Sequence, residues 1–175
     1  MKNGFIFIVG GTKSGKSAFA VEKAKLFRGR VVFFATCGPE DSEMKRRVAE
    51  HRQRRPAAWS TKELKKDIIK ELNEIDGQGK LILLDCLTLW LSRMLCENEQ
   101  KGIGWFLEKT EDLKSALTDL KASVILVSNE VGMSVVPANK LARKFADIQG
   151  AANQIMAKAA GSVYCMRSCL AEKLK

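Results

Sequence analysis

"FIFIVGGTKSGKS", residues 5–17, decides the fold. Its first half, "FIFIVG", is a short apolar run rich in β-branched and aromatic side chains, which predicts a strand. From Gly10 to Ser17 the chain matches G-x-x-x-x-G-K-[ST]. Residues 16–27 then carry Phe19, Ala20, Ala24 and Phe27 at helical spacing. The spacing has a physical reason. Gly10 and Gly15 allow backbone conformations that turn N–H groups inward around a phosphate. Gly11, Thr12, Lys13 and Ser14 complete that cradle, and the helix beginning near Lys16 adds the positive end of its dipole. Lys16 is expected to reach the β- and γ-phosphates, and Ser17 to offer its hydroxyl to Mg²⁺. A chance glycine turn would need neither the strand before nor the helix after.

Outward from this stretch the pattern alternates. "RVVFFAT" (30–36), "KLILLDC" (80–86) and "SVILVSN" (123–129) read as buried strands, and "SVYCM" (162–166) as a last one. "STKE" (60–63) has the form of a capping box and predicts a helix running to about Ile75. Residues 41–54, 87–99 and 104–121 read as helices, the last two separated at Gly102 and Gly104. After Pro137, Leu141, Phe145, Ile148, Ala152, Ile155 and Ala159 repeat at spacings of four and three. The whole predicts an α/β, single-domain P-loop NTPase fold over residues 1–175, a mostly parallel β-sheet with helices on both faces.

A length of 175 residues suits one such domain, and 46% hydrophobic with 29% charged residues is globular composition. The longest apolar stretch, residues 81–91, carries Asp85 and is too short to span a membrane. The run Phe5 to Val9 is too short for the apolar core of a signal peptide. Cysteines 37, 86, 96, 165 and 169 are irregularly spaced, which argues against a zinc site or a disulfide framework. Free thiols point to a reducing compartment, the cytoplasm. The net charge of +10 calls for anionic partners, with nucleic acid, anionic lipid and nucleotide phosphates all qualifying.

Two further places carry candidate chemistry. Asp85 ends a buried strand, where ligands of parallel sheets bind. It is a candidate Mg²⁺ ligand, or the N-cap of the next helix. His51 is the only histidine, set among Lys45, Arg46, Arg47, Arg52, Arg54 and Arg55. On a helix several of these cations would face the ring and lower its pKa below the usual ~6.5. A neutral imidazole is a nucleophile, and the arginines could grip phosphates. The segment could equally be a solvated basic face or touch nucleic acid, although Trp59 is the lone aromatic nearby and offers no stacking platform.

Taken together, the motifs resemble the bifunctional adenosylcobinamide kinase / adenosylcobinamide-phosphate guanylyltransferase family of cobalamin biosynthesis. The resemblance rests on "GGTKSGKS", on "FFAT" followed by "EMKRRVAEHRQRRPAAWSTKE", on "LILLDCLTLWLSRML", and on "VSNEVGMSVVPANKLARKFADIQGAANQ". It implies phosphorylation of adenosylcobinamide by ATP or GTP, then transfer of GMP from GTP with release of pyrophosphate, giving adenosylcobinamide-GDP. It implies that the GMP is carried on a histidine, at His51 here, with Lys16 and Asp85 catalytic beside it. By the same resemblance Ala35, Thr36, Cys37, Arg52, Gln53, Arg54, Arg55, Glu63 and Asp85 contact nucleotide, Ser17 and Asp85 hold Mg²⁺, and the chain forms a homotrimer with no nucleic-acid partner. Asn129 and Glu130 of "NEVG" orient substrate or metal-bound water, or merely cap the strand; Arg143 and Asn153 serve packing or subunit contacts. The chain departs from the family pattern at Ser134, usually glycine, and in "YCMRSCLAEKLK", which lacks the family's G-[IL]-P-like turn. Two other functions remain open from residues alone: a P-loop kinase of another small alcohol with a structural His51, or a nucleic-acid-stimulated NTPase.

Overall fold

Seven strands form a single sheet in the computed structural model, which describes residues 4–36 and 55–175. They are β1 (Ile6–Gly10), β2 (Arg30–Ala35), β3 (Ser60–Glu63), β4 (Lys80–Asp85), β5 (Ser123–Asn129), β6 (Ser162–Arg167) and β7 (Leu170–Lys173). Their order is β3-β2-β4-β5-β1-β6-β7, parallel throughout except for the β6–β7 hairpin. The helices are α1 (Lys16–Lys25), α2 (Ile68–Ile75), α3 (Leu87–Glu97), α4 (Ile103–Asp119) and α5 (Lys140–Ala159).

The strands read as continuous apolar runs because both faces of the sheet are covered. Phe7, Val9, Phe34, Ile82, Leu84, Val124 and Leu126 pack beneath α2 to α5. Ile8, Val31, Phe33, Leu81, Leu83, Ile125 and Val127 pack against Ala20, Val21 and Ala24 of α1. The small residues of α1 let that helix lie close over the sheet. Each fully buried leucine or phenylalanine contributes about 1.5–3 kcal/mol, so the two faces together anchor the whole carboxyl edge on which β1 ends.

Three expectations need correction. Ser60–Glu63 does not open a helix: it is the edge strand β3, paired with Val32–Ala35 of β2. Its backbone is drawn into the parallel ladder with β2, and that long-range pairing overrides the local helix-start pattern. Helix α2 starts later, at Ile68, where the Asp67 side chain accepts hydrogen bonds from the Ile69 and Lys70 N–H groups. The glutamate that ties down this entry is Glu71, whose Oε1 accepts from the Lys65 and Lys66 N–H groups. Second, the buried face of α5 is Ile148, Gln149, Ala152, Asn153 and Met156, so Met156 takes the place expected of Ile155. The helix turns this way because Gln149 and Asn153 hydrogen-bond to β5. Third, the chain does not end on β6. Ser168 and Cys169 both take left-handed φ, 48° and 67°, and turn it back into β7.

Cys37, His51, Arg52, Gln53, Arg54 and the helix expected over 41–54 lie outside the described residues. Among the described residues no helix is long and apolar enough to cross a membrane.

Candidate active site

Gly10 closes β1 and opens the loop. Glycine is needed there because a Cβ would stand 2.6 Å from the Met166 carbonyl oxygen and 2.7 Å from Ser14 Oγ. Gly15 is needed for a different reason: its φ is +93°, a left-handed conformation that turns the chain into α1. Lys13 also sits left-handed, at φ 57°. The loop is tied internally by the Ser14 N–H donating to the Gly11 carbonyl (3.2 Å). Ser14 Oγ is buried and has no hydrogen-bond partner among the described residues. Such an orphaned hydroxyl costs about 1–3 kcal/mol, which a bound acceptor would recover.

Lys16, the first residue of α1, is only 8% exposed, and its Nζ donates to the Gly11 carbonyl at 2.9 Å. Burial holds its pKa below the ordinary lysine value, while Cys86 and Asp85 pull the other way. A buried ammonium folded back onto its own loop is poised to exchange that carbonyl for a stronger anionic partner. Gly11, Thr12 and Lys13 are exposed, and Ser17 is half-buried on the first turn of α1.

Across the edge, Ala35 stands in register with Glu63 on one side and Asp85 on the other. The sheet therefore brings Glu63, Ala35 and Asp85 into one row along its carboxyl edge, with β5 between Asp85 and the strand that carries the loop. Glu63 is exposed there and has no capping duty. Asp85 is not the N-cap of α3: the helix begins at Leu87, as expected, and Cys86 takes the N-cap position. Thr36 is fully buried; its hydroxyl donates to the Cys86 carbonyl (2.6 Å) and accepts from the Cys86 N–H (2.9 Å). The threonine thus fixes the chain just past Asp85. Burial, with Asp85 adding to it, pushes the Cys86 thiol up to about 12, so it stays protonated at neutral pH.

The end of β5 is held by a buried polar cluster that the sequence did not announce. Ser128 Oγ donates to Asn153 Oδ1 (2.7 Å) and accepts from Gln149 Nε2 (2.9 Å). Gln149 Nε2 also donates to Asn153 Oδ1 (2.9 Å), and Asn153 Nδ2 donates to the Asn129 carbonyl (3.0 Å). The Asn129 N–H donates to Thr88 Oγ1 (2.7 Å). The next N–H, of Glu130, donates to the Gly10 carbonyl at 2.9 Å, and Glu130 Oε1 accepts from the Gly132 N–H at 3.0 Å. Asn153 therefore serves internal packing, and "NEVG" shares a hydrogen bond with the phosphate loop. Arg143 closes its own loop, donating to the Pro137 and Ala138 carbonyls. At the far side of the basic segment, the Arg55 guanidinium lies 3.1 Å from the centre of the Phe33 ring, on the α1 face of the sheet. A groove lined by Arg30, Ser60, Lys62 and Lys80 opens at the opposite, amino edge and takes no part in this arrangement.

A glycine-bounded loop between a central strand and a helix, with an acidic strand end across the sheet edge, defines a P-loop NTPase fold. A solved ATPase from the type III secretion system of pathogenic bacteria shares it, at TM-score 0.55 and 12% identity over 93% of this chain and 51% of that one, so this chain spans about half its length. Within that class the chain belongs to the cobinamide kinase / cobinamide phosphate guanyltransferase family, whose sequence profile matches residues 6–174. Similar proteins include the bifunctional adenosylcobalamin biosynthesis protein CobP of Pseudomonas aeruginosa, 41% identical with 86% of each chain covered. The corresponding CobU proteins of Escherichia coli and Salmonella typhimurium are 33% and 35% identical, over 97% of this chain and 99% of theirs.

Proposed function

We infer that the protein phosphorylates the hydroxyl of adenosylcobinamide with ATP or GTP and then joins GMP from GTP to the product. The observation that carries this reading is the buried Lys16 at the head of α1, close enough to Asp85 to feel its charge, on a sheet edge that also holds Gly10, Ala35 and Glu63. Gly10 to Ser17 would hold the triphosphate through inward N–H groups, with Lys16 leaving the Gly11 carbonyl for phosphate oxygens. In the first reaction the substrate hydroxyl attacks the γ-phosphorus; the new P–O bond forms as the bridging bond breaks, nucleoside diphosphate leaves and the hydroxyl proton passes to solvent. The Ser17 hydroxyl and the Asp85 carboxylate form a hard oxygen donor set that would hold Mg²⁺, which would supply charge neutralisation to the phosphates.

In the second reaction a neutral ring nitrogen of His51 attacks the α-phosphorus of GTP. An N–P bond forms, pyrophosphate departs, and the ring loses its N–H proton to give a guanylyl-histidine. A phosphate oxygen of adenosylcobinamide phosphate then attacks the same phosphorus; the ring regains its proton, the N–P bond breaks and neutral imidazole leaves. One hard displacement becomes two easier ones. Arg52, Gln53, Arg54 and Arg55 would grip phosphate or ribose, while Ala35, Thr36, Cys37 and Glu63 line the nucleotide. Thr36 would act through its backbone and through the Cys86 clamp, since its hydroxyl is already engaged there.

The test is covalent labelling. GTP labelled at the α-phosphate leaves an acid-labile, base-stable adduct on the wild type, discharged by adenosylcobinamide phosphate. No adduct on the wild type, or one retained by His51→Ala, sinks the guanylyl-histidine step. Light scattering of the purified chain checks the homotrimer, and turnover unaffected by added DNA or RNA separates this reading from a nucleic-acid-stimulated NTPase.

A further inference from the structure

In the β6–β7 hairpin, Val163 and Met166 of β6 are buried in the core, while all four residues of β7 are exposed. The hairpin also presses on the phosphate loop at two points. Gly10 pairs in register with Met166, whose carbonyl oxygen fills the place a Cβ would take. Beyond it, the Cys169 N–H donates to the Ser14 carbonyl at 2.9 Å. A Cβ on Gly15 would stand 3.0 Å from both Cα and Sγ of Cys169. Ser168 and Cys169 hold the left-handed pair of φ values that a two-residue hairpin turn requires.

We propose that the Ser168–Cys169 turn is a positioning element for nucleotide: it clasps the phosphate loop from behind and aims the Gly15 N–H at the bound phosphate. The argument is geometric. In a planar trans peptide the C=O and N–H of one unit point in opposite directions. A hydrogen bond that holds the Ser14 carbonyl toward the hairpin therefore turns the Gly15 N–H to the other side, into the loop. Without it, the unit between Ser14 and Gly15 can rotate freely beside a glycine, and the loop would have to be ordered at the moment of binding. The contact runs through backbone, so the turn needs a left-handed residue with an N–H at position 169 and no particular side chain. This rests on the nucleotide reading of the loop.

The experiment removes that N–H alone. Residues 1–164 are joined at Cys165 to a synthetic 165–175 peptide that carries either the normal amide or an ester between Ser168 and Cys169, giving the full chain in both cases. GDP binding is measured by calorimetry at 25 °C, with thermal unfolding recorded alongside. The ester protein is expected to bind GDP roughly three- to tenfold more weakly than its amide twin, the scale of one hydrogen bond. Cys169→Gly, which keeps both the N–H and the turn, is expected to bind within twofold of wild type. Equal affinity of ester and amide proteins overturns the proposal whatever their melting temperatures, because a merely structural contact would move stability alone. Loss of affinity in Cys169→Gly overturns it too, by shifting the effect to the thiol. An amide protein that binds no GDP overturns the nucleotide reading and this proposal together.

Discussion

Replacing Asn153 by alanine should destabilise the protein by about 3–5 kcal/mol, and the structure shows where that figure comes from. The amide accepts from Ser128 Oγ and Gln149 Nε2 and donates to the Asn129 carbonyl. Gln149 is fully buried and its Oε1 is already without a partner among the described residues, so one more lost bond leaves an N–H with nowhere to turn. That alone is worth about 1–3 kcal/mol. Ser128 can swing its hydroxyl toward Thr88 Oγ1, now 3.4 Å away, and recover part of its loss. The Asn129 carbonyl, half-buried, is partly rescued by water, and the missing amide leaves a small cavity beneath α5. For a domain of this size the sum corresponds to a fall in Tm of about 10 °C. Urea titration at 25 °C gives the free energy directly. Because Ser128 and Asn153 share their partners, the double variant Ser128→Ala/Asn153→Ala should cost at least about 1 kcal/mol less than the two singles added together. A loss below about 1 kcal/mol for Asn153→Ala, or strict additivity, would refute the idea that this cluster holds the end of β5.

Lys16→Met should raise the Tm of the nucleotide-free protein while abolishing turnover, because it removes a charge whose burial is unfavourable until phosphate arrives. The sign with pH follows. The folded pKa lies below the unfolded value of about 10.5, so between the two the unfolded chain binds more protons and wild-type stability rises with pH. The advantage of Lys16→Met over wild type should therefore shrink as pH climbs toward 10.5, read by scanning calorimetry, and a pH-independent difference would contradict it. Thiol chemistry offers a third check. Cys86, buried and pushed up to about 12, should resist alkylation in the native protein at pH 8, while exposed Cys96 and Cys169 react. Peptide mass mapping that finds Cys86 labelled as fast as Cys96 would contradict the placement of β4.

The phosphate loop was legible because its chemistry is local: two glycines, a lysine and a hydroxyl at fixed spacing between a strand and a helix. The parallel strands were legible because burial on both faces leaves unbroken apolar runs. What stayed hidden depends on partners far away in the chain. "STKE" carries a sound helix-start pattern, and pairing with β2 overrides it. Ser128, Gln149 and Thr88 are ordinary polar residues until three elements bring them together beneath β5. The turn at Ser168 and Cys169 escaped notice because neither residue advertises a left-handed conformation as Asn-Gly would.

The strand that carries the phosphate loop has neighbours only from the distant end of the chain. β1 pairs with β5 and β6, so residues 6–10 wait for residues 123–129 and 162–167 before they have any hydrogen-bonded support. Such long-range pairing forms late, after local helices and after the entropy of closing the intervening chain has been met. During synthesis residues 6–10 thus emerge well before the partners that give them their native setting. At about 5–20 residues per second, roughly 8–30 s separate the emergence of Gly10 from that of its partner Met166. A nascent or prematurely terminated chain would hold the whole G-x-x-x-x-G-K-S sequence and still lack the sheet that shapes it. Capture of nucleotide then reports that β5 and β6 have both been made and paired with β1, a quality check that arises from strand order alone.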